Sequence, residues 1–105
     1  MKIQFNTDKT INGDERNESF FTNQISEALQ RFDSKITRIE VHLKDENGKE
    51  EGFNTMSCTL EARIEGRQPI AVSSQADTIE QAISDATEKL KASLKTILEQ
   101  MQSHR

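Results

Sequence analysis

The 105-residue chain has no tryptophan, no tyrosine, one cysteine, one proline and four glycines. Each scarcity excludes something. A lone cysteine, Cys58, makes no internal disulfide and no cysteine-built zinc site, which fits a cytosolic protein. Glycine and proline this sparse exclude collagenous and low-complexity architectures. No apolar run nears the roughly 18 residues that span a bilayer. The opening MKIQFNTDK alternates apolar and polar residues and lacks the apolar core of a signal peptide. Surplus positive charge is also missing, because the formal net charge is −4 with both histidines neutral. That excludes a uniformly basic nucleic-acid binder, which neutralises phosphates with excess Lys and Arg, but leaves room for a local basic patch.

What the chain does have is periodicity. Ile3 and Phe5 alternate with Lys2, Gln4 and Asn6, a short half-buried strand. Residues 8–18 form a polar connection. Phe21, Ile25, Ala28, Leu29 and Phe32 recur at helical spacing, predicting a helix from about Glu18 or Ser19 to Asp33. A second strand runs from Ile36 to Lys44 with Ile39, Val41 and Leu43 on one face. Residues 45–54 are an acidic loop around the turn dipeptide Asn47-Gly48. Met56, Cys58, Leu60, Ala62 and Ile64 then mark a third strand, and Ile70 and Val72 a fourth, just after Pro69. The second helix begins after Ala76 with Asp77 as N-cap and Glu80 three residues on. Its stripe of Ile79, Ala82, Ile83, Ala86, Leu90, Leu94, Ile97 and Met101 sets a span of about 77–101, with a tail at 102–105. At 1.5 Å per residue such a helix is roughly 37 Å long and overhangs a small sheet.

The order β-α-β-β-β-α, in a single domain over residues 1–105, predicts an α+β two-layer sandwich: a four-stranded sheet with both helices on one face and the other face solvated. The parallel crossover places the first two strands side by side.

Catalysis finds little support. There is no glycine-rich phosphate loop, no metal-ligand spacing and no nucleophile elbow, so no cofactor, metal or small-molecule substrate is expected. His42 falls on the solvated face and His104 in the tail. Glu40 with Glu61, and Arg38 with Arg63, are cross-strand neighbours on an open face, where charge pairing and not acid–base chemistry is expected. Cys58 and Met56 read as core packing. The informative feature is charge order in helix two. Asp77, Glu80, Asp85 and Glu88 precede Lys89, Lys91 and Lys95, with no acid after Glu88 until Glu99. This order suits the helix dipole and equally builds a local phosphate-contacting patch. Lys91 and Lys95 share one flank of the stripe; Lys89 lies on the other. No aromatic points out of the solvated sheet face, so base stacking there is not expected.

The strand order, with VHLKDENG (41–48), CTLEARIEGRQPIAV (58–72) and AISDATEKLKASL (82–94), resembles the ribosome hibernation-promoting factor family, also called ribosome-associated inhibitors or sigma 54 modulation proteins. The resemblance runs from Met1 to about Leu98. It implies a fold similar to double-stranded-RNA-binding domains. It further implies a partner, the small ribosomal subunit and its ribosomal RNA, with the domain filling the decoding channel and halting translation in stationary phase or stress without any bond being made or broken. Carried over residue by residue, it assigns RNA contact to Lys89 from the Lys-Leu motif, then to Lys91 and Lys95. Arg31 and Lys35 stand in for helix-one lysines, and Arg38 and Arg63 come from the adjoining sheet. Helix one departs from the family, with Ser26-Glu27-Ala28-Leu29 where lysines are usual. The chain also ends at Arg105, without the C-terminal extension of the family's long forms, so the resemblance is to a short form. The alternative reading is a protein-binding module on the same fold that has lost the ribosome, with a sheet edge or helix two as its contact surface and a homodimer as one form of it.

Overall fold

The computed structural model describes residues 1–7, 15–45 and 56–103. The Asn47-Gly48 turn, the 8–14 connection and His104 lie outside the described residues, as does the side chain of Met101. The elements follow the predicted order: β1 (Lys2–Thr7), α1 (Glu15–Ala28), a 3₁₀ turn (Gln30–Lys35), β2 (Ile36–Asp45), β3 (Met56–Ile64), β4 (Ile70–Ala76) and α2 (Ile79–Ser103). The sheet order is β1-β2-β3-β4, with β1 parallel to β2 and the other pairs antiparallel.

Register turns the sequence alternation into a core. Phe5, Val41, Leu60 and Val72 form one inward row across the four strands, and Ile3, Ile39, Ala62 and Ile70 the next. α2 lies on β3 and β4, while α1 touches β1 and α2, so both helices cover this face. Ile25, Leu29, Phe32, Ile39, Leu60, Ile83 and Leu90 are fully buried, each contributing about 1.5–3 kcal/mol by leaving water.

Several boundaries differ from the sequence prediction. The first helix runs from Glu15 and stops at Ala28 instead of Asp33. Its first turn has no apolar residue to show it. Beyond Ala28 the chain tightens, with the Phe32 amide donating to the Leu29 carbonyl at 2.9 Å. Residues three apart stack in a 3₁₀ turn, so Leu29 and Phe32 both stay in the core. The N-cap of α2 is Thr78, not Asp77: Thr78 Oγ1 accepts from the Gln81 amide at 3.1 Å. Thr78 and Gln81 have capping-box spacing, but the Gln81 amide side chain turns forward to Asp85 Oδ1 at 2.8 Å, so the box is only half closed. α2 also reaches Ser103, taking in two residues expected in the tail. β4 extends past Val72 to Ala76, with Ser74 and Ala76 buried; small and polar inward residues hid this half of the strand.

Two local features position the open face. A register irregularity between Ile36 and Arg38 lets Ile36 and Ile39 both point into the core, and Thr37 Oγ1 donates to the Arg63 carbonyl there at 3.2 Å. At the β3–β4 turn Gly66 adopts φ 76°, the left-handed region that glycine enters without a Cβ penalty, and the Arg67 amide donates to the Ile64 carbonyl at 3.1 Å. Leu94 is the last buried residue among the α2 side chains described, and Ile97 and Leu98 after it are half-buried.

Candidate nucleic-acid interface

The seven expected contact residues do not form one patch. The sheet divides them. Arg38 and Arg63 lie on the open face, opposite the layer that carries Lys89, Lys91 and Lys95. Arg31 and Lys35 sit in the 3₁₀ turn between the layers at one end of the molecule.

On the open face, register does what composition does not reveal. Lys2 pairs with Arg38, and Arg38 pairs with Arg63, so three cations cross β1, β2 and β3 in one row. Lys35 precedes β2 at the same end, where its carbonyl accepts from the Glu65 amide at 3.0 Å. Lys2 was visible in the sequence as a residue of this face, but only the parallel β1–β2 register places it in line with the two arginines.

The next row along the strands is acidic, with Glu40 opposite Glu61. The ion pairs run along each strand and not across the sheet as expected from the sequence. Arg38 Nη2 is 3.2 Å from Glu40 Oε1, and Arg63 Nε is 4.0 Å from Glu61 Oε1. The reason is the register: like faces like across β2 and β3, so the opposite charge lies two residues along. Like charges directly opposite cost up to about 1 kcal/mol, and half-exposed pairs return only ~0–1 kcal/mol. The cationic row is thus only partly neutralised. Arg38 Nε is shielded from solvent and makes no hydrogen bond. An anion laid along this row would relieve the repulsion.

On α2 the three lysines differ. Lys89 Nζ donates to the backbone carbonyl of Ser73 at 2.8 Å, reaching from the helix layer to the outer edge of β4. Lys91 and Lys95 lie on the other flank, Lys91 half-buried and Lys95 exposed, with no ion pair or side-chain hydrogen bond among the described residues. Arg31 is exposed, its guanidinium carbon 5.1 Å from the centre of the Phe32 ring.

No catalytic constellation forms among the described residues. His42 is exposed, in register with Asn6 and Thr59. Cys58 is fully buried, and desolvation pushes its thiol up to about 12, far from a reactive thiolate at neutral pH. One surface cleft of about 800 Å³ is lined by Gly66 to Ile70 and Ile97 and holds no acid–base or nucleophile–base pair. Among the described residues no group of His, Cys, Asp and Glu is placed to hold a metal, and no helix is long and apolar enough to cross a membrane.

With this geometry in view, the chain is similar to solved structures of the same architecture. The N-terminal domain of Thermus thermophilus Protein Y superposes with a TM-score of 0.73 at 13% identity, over 92% of this chain and 99% of that one. A ribosomal subunit interface protein from Coxiella burnetii gives 0.76 at 14% identity, over 94% and 99%. At such identity these likenesses show the fold. No curated protein sequence matches the chain. The sequence pattern of a family of non-enzymatic, ribosome-associated translation regulators matches residues 5–102, nearly the whole length. The chain belongs to the family of sigma 54 modulation protein and S30EA ribosomal protein.

Proposed function

We propose that this chain is a ribosome hibernation factor that binds the small subunit in its decoding channel and blocks translation sterically, in stationary phase or stress. The family match over residues 5–102 carries the reading. The geometry supports it through two sets of cations at the two sides of one end. One is the row Lys2, Arg38 and Arg63 with Lys35 beside it; the other is Lys91 and Lys95 on α2, with Arg31 in the turn between the layers. A rigid sandwich of this kind meets folded RNA through backbone phosphates and shape, without reading base edges. Lys89 joins these contacts only by sharing or leaving the Ser73 carbonyl. We therefore place it behind Lys91 and Lys95 in importance.

The ion pairs on Arg38 and Arg63 favour a second reading, a protein-binding module that has lost the ribosome, because they reduce the charge available to phosphate. Co-sedimentation with purified small subunits over a salt series separates the two. A hibernation factor sediments with the subunit at low salt and is released as salt rises, by roughly 0.7–0.9 in the logarithmic slope per phosphate contact. A protein-binding module stays at the top of the gradient at every salt concentration.

A further inference from the structure

β4 is an edge strand, and its outer side raises a problem that the fold solves with one side chain. The Ser73 carbonyl accepts from Lys89, a residue outside the sheet, so it points away from β3. In an antiparallel ladder both backbone groups of a residue face the same side and alternate along the strand. The amides and carbonyls of Ala71, Ser73 and Gln75 therefore all line the outer edge. The strand reads Ile-Ala-Val-Ser-Ser-Gln-Ala, with no charge, proline or glycine inside it and no register irregularity against β3. Proteins guard such edges with lysines, prolines or bulges, because an unguarded edge pairs with another strand.

We propose that the outer edge of β4 is a self-pairing surface for a second copy of this chain, and that Lys89 is the gate that keeps it shut. The occupant is fixed by fit. A two-fold axis through Ser73 sets Ser73 against its mate and Ala71 against the mate's Gln75, all small or uncharged. On the covered face α2 rests on both β3 and β4. Strands lie about 4.8 Å apart, so two such helices stand about two spacings, or ~10 Å, from each other, a distance at which helices pack. The flank of α2 that meets the mate is the one Lys89 occupies, and helical spacing puts Ala82, Asp85, Ser93 and Thr96 beside it. Asp85, one turn before Lys89, accepts from Gln81 Nε2 at 2.8 Å, and a two-fold through Ser73 sets Lys89, not Asp85, against its own copy. Its ammonium blocks pairing twice: it takes the central carbonyl of the edge, and across the two-fold it would face its own copy. Removing the Lys89 charge clears the two-fold and frees a strand edge that is itself uncharged and self-complementary.

The test uses the full chain without RNA, so its outcome does not depend on the ribosome reading. Lys89→Met keeps the aliphatic stem and deletes the charge and the donor; Lys89→Arg keeps both. Analytical ultracentrifugation should show Lys89→Met rising about twofold in mass, as for a two-fold dimer, at concentrations where the unaltered chain and Lys89→Arg remain monomers. Gln75→Pro removes an outward edge amide without touching the β3 ladder and should return Lys89→Met to monomer. Circular dichroism confirms folding, and Lys89→Ala replaces Lys89→Met should the latter not fold. A folded charge-deleted variant that stays monomeric at every concentration overturns the proposal. So does a dimer that survives Gln75→Pro, or an unaltered chain that dimerises equally well.

Discussion

The two flanks of α2 carry the same residue type and give it different work. Lys89 and Lys95 are six positions apart on one helix. Lys89 faces the β4 edge and its ammonium is held by Ser73. Lys95 and Lys91 face the other way, where no described acid or carbonyl takes them. A lysine's neighbourhood in the sheet thus decides whether it is structural or available for a ligand, and the motif in which it stands does not. Lys89 has the strongest motif, Lys-Leu, and the least freedom.

The comparison can be broken by mutation. The largest effect is expected from Lys91→Ala with Lys95→Ala. Together they should lower small-subunit affinity on the order of tenfold at moderate salt and flatten the logarithmic salt slope by about 1.4–1.8. Lys89→Met, assayed below its dimerising concentration, should change that affinity far less. Equal losses for both flanks would erase the distinction. On the open face Arg63→Ala and Lys2→Ala should each weaken binding with a salt slope shallower by about 0.7–0.9, since each removes one cation of the row.

A smaller effect tests whether α2 must be held firmly for its flanks to differ. Thr78→Ala removes the cap acceptor of the Gln81 amide and should lower unfolding free energy by about 1 kcal/mol in denaturant titration. A separate effect is expected at alkaline pH. Burial raises the Cys58 thiol from 9.0 to about 12 in the folded chain. Between those values the unfolded chain has lost this proton and the folded chain keeps it. This contribution to stability is therefore complete below pH 9 and declines as pH rises toward 12. Cys58→Ala should remove that part of the alkaline decline in thermal melts.

Much of this was legible in the sequence. Alternation at Ile39, Val41 and Leu43 and at Met56 to Ile64 identified β2 and β3, and the long stripe of α2 fixed its inward face. The misses share one cause, the absence of an apolar marker. The first turn of α1 has none, and the second half of β4 turns Ser74 and Ala76 inward. Asp77 and Thr78 are both good N-cap residues, and only the Thr78–Gln81 hydrogen bond decides between them. The site was less legible than the fold. Every cation in it could be named from sequence, and Arg38 does stand beside Arg63 as expected, but the addition of Lys2 to that row depends on the parallel register of β1 and β2. The engagement of Lys89 depends on where the β4 edge lies. Both are long-range relations that no local pattern encodes.

The central claim is that this sandwich binds the small ribosomal subunit through its available cations, with α2 contributing Lys91 and Lys95. The most direct measurement is co-sedimentation of the unaltered chain, the Lys91/Lys95 double alanine variant and Lys89→Met with small subunits over a salt series. The account predicts salt-sensitive binding that the double variant largely loses and Lys89→Met largely keeps. A chain that remains at the top of the gradient at low salt, or a double variant that binds as well as the unaltered chain, would contradict it.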